Sequence, residues 1–200
     1  LEFRRVLFRS GSLAEDIRSE ALMKLDLYEP AMKDFDTILV KEPKHKGALF
    51  NRAIALVHLG RYQEGLKDMD KLVELDPGQN VIYNNRAWFR LNDFENPDSL
   101  KLAMQDIEKS ISLEKRYPAA YDTRGTIYLI QGDYDKAKAD FEKCASIKDT
   151  SSAANFHLAI IAMVKGNKDE ADKRLADYQK GDYKPDDFEL KFCREKLGLS

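Results

Sequence analysis

The sequence predicts an all-α chain, an α-solenoid of stacked helical hairpins. Three observations lead there: a 34-residue internal period, two apolar-periodic stretches within each period, and small residues recurring where two helices must approach closely. Pro43 and Pro77 lie 34 residues apart, as do Tyr28 and Tyr62, and Gly132 and Gly166. Ala31 is matched 34 residues later by Gly65, and Ala137 by Ala171. One hairpin of amphipathic helices cannot bury both of its faces, so successive copies must share a continuous core.

Taken in order, the five repeats run over 12–45, 46–79, 80–117, 118–151 and 152–185. The first carries Asp26 at the position of the turn glycine and has no visible N-terminal cap. In the second, Ala48 to Leu59 and Gln63 to Leu75 show helical periodicity on either side of the turn Gly60-Arg61-Tyr62, and Ala53 and Gly65 supply the small crossing positions. The third has Leu100 in place of the turn tyrosine and four extra residues around Glu95 to Asp98. A slightly longer surface loop costs little entropy, so the stack should survive it. In the fourth and fifth, Gly125, Ala137, Ala159 and Ala171 leave room that Tyr128, Phe141 and Leu175 fill. After Pro185, Asp186 and Asp187 can cap a last helix within 186–200. Its Phe188, Phe192, Cys193 and Leu197 fall near one face and are expected to cover the end of the fifth repeat.

Leu1–Ser10, LEFRRVLFRS, could pass for a basic amphipathic arm or a clipped targeting peptide. The string also resembles, residue for residue, the translation of a common sequencing adapter, and it is set aside from the fold as an artefactual leader. The natural segment is then expected to begin near Gly11, with its own N-terminus missing. The 200 residues carry 33 basic and 35 acidic side chains, a formal charge of -2; without the leader's three arginines and one glutamate the charge is -4. Nothing in this balance favours nucleic acid or an anionic membrane surface. The longest purely apolar run, Leu158 to Val164, is far shorter than the roughly 20 residues a membrane-spanning helix needs. No membrane insertion is expected of this sequence.

The stretches Ala48 to Pro77 and Ala120 to Ile147 carry small, aromatic and glycine positions in one register, and in this they resemble the tetratricopeptide repeat family. The resemblance covers 174 of the 200 residues. It implies a right-handed α-solenoid of five such hairpins plus a C-terminal capping helix, with the first helices of the repeats lining a concave groove. Carried over by position, the groove receives Phe50, Asn51, Ile54, Val57 and His58 from the second repeat, and Asn84, Asn85, Trp88 and Leu91 from the third. Asp122, Thr123, Thr126, Leu129, Phe156, His157 and Ile160 follow from the fourth and fifth. Phe50, Asn51, Ile54, Asn85, Trp88, Thr123, Thr126 and His157 are the candidate peptide-binding residues, in which carboxamides donate to and accept from a ligand backbone. On the other reading Phe50, Ile54 and Phe156 pack against neighbouring repeats and the asparagines stay solvated. Family members that clamp the C-terminal carboxylate of chaperone tails do so with lysine, arginine and asparagine at set positions. This chain offers Asp16, Glu20, Asn51, Val81 and Asn85 there, so that partner is not expected.

Arg18, Arg52, Arg86 and Arg124 occupy one position in the first four repeats, and Asp34, Asp68, Asp106 and Asp140 recur on the second helix. In the fifth repeat both change together, to Leu158 and Arg174. A row of arginines could hold phosphate or an acidic peptide, but the joint exchange favours an Arg–Asp pair joining the helices of each hairpin.

No glycine-rich phosphate loop, HExxH, GxSxG or EF-hand pattern occurs. His45, His58 and His157 fall on different repeats, and Cys144 and Cys193 form neither a CxxC nor a metal-spaced cluster. No catalytic residue, metal or cofactor is expected. Composition and resemblance together point to a non-catalytic protein-interaction scaffold holding a peptide or protein segment. The alternatives are an accessory repeat region of a larger enzyme or sensor, or an envelope assembly factor; a cytoplasmic and a bacterial periplasmic location are both left open.

Overall fold

A computed structural model describes residues 12–93, 95–147, 151–185 and 187–198. The leader Leu1–Ser10 and the cap candidate Asp186 lie outside the described residues, as do the side chains of Asp187, Phe188 and Leu197. Among the described residues there are eleven helices and no strand. They divide into two compact units, one ending at Phe89 and one starting at Arg90.

The N-terminal unit holds α1 (Ser12–Lys24), α2 (Tyr28–Lys41), α3 (Lys46–His58), α4 (Tyr62–Leu75) and most of α5 (Asn80–Leu91). Phe35 and Ile38 from α2, Leu49 and Ala53 from α3, Met69 and Leu72 from α4, and Phe89 from α5 form one buried cluster. These residues recur at helical spacing, which is why each helix turns a single apolar face inward. His45 caps α3, its Nδ1 accepting from the Ala48 amide at 3.1 Å. At the end of α3, Gly60 takes φ +72° while Arg61 N–H bonds Leu56 C=O at 2.8 Å and Gly60 N–H bonds Val57 C=O at 2.9 Å. This crossed pair satisfies carbonyls that the helix end leaves orphaned. Asp26 closes α1 by the same pair of bonds with φ +56°, and its Oδ1 accepts from the Tyr28 hydroxyl at 2.6 Å. The missing turn glycine is thus a change of residue with no change of turn.

The C-terminal unit holds α6 (Pro97–Leu113), α7 (Pro118–Ile130), α8 (Tyr134–Ile147), α9 (Ser151–Val164), α10 (Lys168–Tyr178) and α11 (Asp187–Leu197). α7 packs on α8 and α9 on α10, while α8 also meets α9. Ile107, Ile127, Phe141, Cys144 and Leu158 are buried, and α9 buries residues nearly all round, from Ala154 to Ala162. Gly125 is needed by geometry: a Cβ there would sit 2.7 Å from Cε1 of Phe141, which is fully buried. The insertion around Glu95 to Asp98 departs from the expected longer loop. It goes largely into the helix, α6 having 17 residues against 14 in α4, with Asn96 as its cap, accepting from the Asp98 amide at 3.0 Å.

The arginine row forms rungs between paired helices. Arg52 grips Asp68 through Nε and Nη2 at 2.8 and 2.7 Å, Arg124 grips Asp140 at 2.7 and 2.8 Å, and Arg18 holds both oxygens of Asp34. Each aspartate is buried; Arg52 and Arg124 keep about a quarter of their side chains exposed. Asp106 receives Arg90 Nε at 3.0 Å, a residue the sequence reading did not place in the row. The reason is spacing: Arg90 and Asp106 are separated by 16 residues like every other rung, because the insertion falls between Arg86 and Asp106. Arg52 and Arg86 also reach 16 residues back, to Asp36 at 2.7 Å and Asp70 at 2.8 Å, joining one hairpin to the previous one. In the fifth repeat Leu158 is buried, while Arg174 donates to Glu170 at 2.6 Å and to Asn155 at 3.1 Å.

Candidate functional site

In the N-terminal unit, α3 and α5 carry Phe50, Asn51, Ile54, Asn85 and Trp88, and all five are half-buried. Phe50, Ile54 and Trp88 rest on the buried cluster with one side and meet solvent with the other. Asn84, one residue before Asn85, is buried instead. Asn51 and Asn85 thus stand beside accessible apolar surface, each with a carboxamide that can donate and accept at once.

In the C-terminal unit the expected residues lie elsewhere. Thr123, Thr126 and His157 are 3%, 2% and 1% exposed, so none of them offers a surface to a ligand in this structure. Thr126 turns its hydroxyl back onto the Asp122 carbonyl at 3.0 Å. His157 is stacked on Phe141, with centroids 4.5 Å apart, and met edge-on by Phe156.

His157 is also the centre of a charged cluster that sequence reasoning missed. Its Nε2 lies 2.7 Å from Oε1 of Glu189 on α11, itself 4% exposed, and the same oxygen accepts from the Tyr183 hydroxyl at 2.5 Å. On the other side Nδ1 stands 3.3 Å from Asp122 Oδ1, an ionic contact too poorly aligned for a hydrogen bond, and neither atom has another hydrogen-bond partner. Burial pulls the imidazole pKa down, but Asp122 and Glu189 outweigh it and lift the value from 6.5 to about 10. His157 is therefore a buried imidazolium between two carboxylates, and it ties α7, α9 and α11 together. A glutamate between Phe188 and Phe192, on a helix otherwise read as an apolar cap, was the one signal available in the sequence.

Beside this cluster α9 and α11 enclose an apolar cavity of about 530 Å³, lined by Phe156, Ile160, Met163, Leu190, Cys193 and Arg194. Burial, with Glu189 adding to it, pushes the Cys193 thiol up to about 11, so the thiol is neutral there. Cys144 is a buried free thiol in the core. Among the described residues no group of histidine, cysteine and carboxylate side chains could hold a metal, and no helix is long and apolar enough to cross a membrane.

Comparison with known proteins gives a consistent result. Family models described as tetratricopeptide repeat match residues 128–188 and 47–79. A human relative, tetratricopeptide repeat protein 13, is 27% identical over 157 residues, covering 72% of this chain but only 17% of its own length. Among solved structures, a thermophilic repeat protein of Thermus thermophilus superposes with a TM-score of 0.76 at 22% identity, covering 94% of this chain and 100% of that one. PilW, described as a type IV pilus biogenesis factor, gives 0.74 at 20% identity, covering 86% of this chain and 78% of its own. At such identities these structural likenesses establish the fold.

Proposed function

Because this chain belongs to the tetratricopeptide repeat family, whose members are generally non-catalytic scaffolds, we propose that it binds a peptide or protein segment along the first helices of its repeats. In the N-terminal unit Phe50, Ile54 and Trp88 supply apolar contact, and Asn51 and Asn85 hold the ligand's backbone amides. The observation that carries this reading is the pairing of half-exposed aromatic and aliphatic surface with carboxamides on α3 and α5. Large amphipathic side chains beside polar groups are where binding energy concentrates in protein interfaces. Thr123, Thr126 and His157 do not take part, being buried.

A photo-reactive phenylalanine analogue placed at Trp88 should cross-link a partner segment, whereas the same group at exposed Lys71 on α4 should not. Cross-linking of equal yield at both positions would reject the surface. A second reading, an accessory repeat region of a larger protein, is supported by the match to 17% of the human relative's length. A biogenesis role like that named for PilW is a variant of the first proposal, with another protein of such a system as the partner.

A further inference from the structure

We propose that the cavity between α9 and α11 is a second docking site, one that takes a partner segment presenting aliphatic side chains around an aspartate or glutamate. The inference rests on the interaction reading above and names a chemistry and a place that reading lacks.

Within the C-terminal unit the cavity lies on a face that keeps the repeat phase. Leu190 and Arg194 follow Phe156 and Ile160 by 34 residues, so α11 repeats the phase of α9 and presents the equivalent face. Phe156 and Met163 are half-buried and Leu190 is 40% exposed, leaving apolar surface open to a ligand. At about 530 Å³ the space holds several aliphatic side chains. Among the described lining residues Arg194 is the one charged side chain.

Arg194 supplies the specificity. The arginines within the other helices, Arg18, Arg52, Arg86, Arg90, Arg124 and Arg174, each pair with a carboxylate. Arg194 is exposed, and the bond described for it runs from Nε to the Leu190 carbonyl at 3.3 Å, within its own helix. Arg194 lines the cavity, and the bond from Nε leaves the two terminal nitrogens of its rigid donor fork to donate to a carboxylate as a pair. The nearby Glu189 does not compete, because His157 and Tyr183 hold it in the interior. The His157 cluster thereby positions the cavity: by fixing Glu189 it fixes α11 against α9.

The test is selection from a displayed random-peptide library against the whole chain, with individual binders then synthesised and titrated. Wild type should yield peptides in which leucine, isoleucine or phenylalanine flank an acidic residue. Arg194→Glu should weaken them roughly ten-fold and, in a fresh selection, favour lysine or arginine at the same place. Met163→Trp, which fills the cavity from its half-buried rim, should abolish binding while thermal unfolding shows the variant folded. Binders without an acidic residue, or binding unaffected by Met163→Trp, would overturn the proposal. Displacement of the peptides by laurate at lower concentration than by unlabelled peptide would overturn it too, assigning the cavity to a small amphiphile. Peptides that depend on Asn51 and Asn85 but ignore Arg194 would sink this site and leave the general interaction reading standing.

Discussion

Asn51, Asn85, Thr123 and His157 occupy one position of four successive repeats, yet the first two are half-exposed and the last two are buried. The next contact position behaves alike: Ile54 and Trp88 reach solvent, whereas Thr126 and Ile160 do not. Repeat position therefore fixes the direction of a side chain along its helix and leaves its accessibility to what neighbouring segments bring. In the C-terminal unit those segments bring Phe141 onto one face of His157, and Glu189 and Tyr183 over its Nε2 edge. A position that can bind in one region becomes a structural charge cluster in the other.

Removing Glu189 is the strongest way to break this contrast. Glu189→Ala leaves the buried imidazolium with Asp122 as its one remaining carboxylate and removes its only well-aligned hydrogen bond, which should cost about 3 kcal/mol. Chemical denaturation monitored by circular dichroism would detect it, and a loss below about 1 kcal/mol would mean that the bond to Glu189 does not hold the cluster together. Next comes Arg52→Ala in the N-terminal unit, which leaves buried Asp68 without its cation. An expected loss of about 2–3 kcal/mol reflects an arginine that is still a quarter exposed. An unchanged melting temperature would show the rungs to be ornamental.

The pH dependence sharpens the comparison further. His157 has a folded pKa raised above its unfolded value, so its contribution is complete below about 6.5 and declines as pH climbs toward about 10. In that window stability should fall by up to about 1.4 kcal/mol per pH unit. Denaturation at a series of pH values would show the slope in wild type and its loss in His157→Gln. A slope of the same size in the glutamine variant would place the titrating group elsewhere.

Much of this was legible in the sequence because it is periodic. The turn residues Gly60, Gly132 and Gly166, the crossing glycine Gly125, and the Arg52–Asp68 and Arg124–Asp140 rungs all recur at fixed separation. Arg90 as a partner of Asp106 was not legible, because aligning by position across an insertion hides the constant separation that Arg90 preserves. The charge cluster around His157 was not legible, since Glu189 comes from the helix after the last repeat. Glu189 stands 32 residues from His157, on a helix whose neighbours suggested only an apolar cap. The cavity beside it escaped for the same reason: its cation belongs to α11, to which no repeat was assigned.

The central claim, that the α3 and α5 face binds a protein segment through its carboxamides, is tested most directly by titrating the cross-linked partner segment against wild type and the double variant Asn51→Ala, Asn85→Ala. The account predicts binding weaker by roughly ten-fold or more, with unfolding free energy changed by less than about 0.5 kcal/mol. Equal affinity in the two proteins would contradict it.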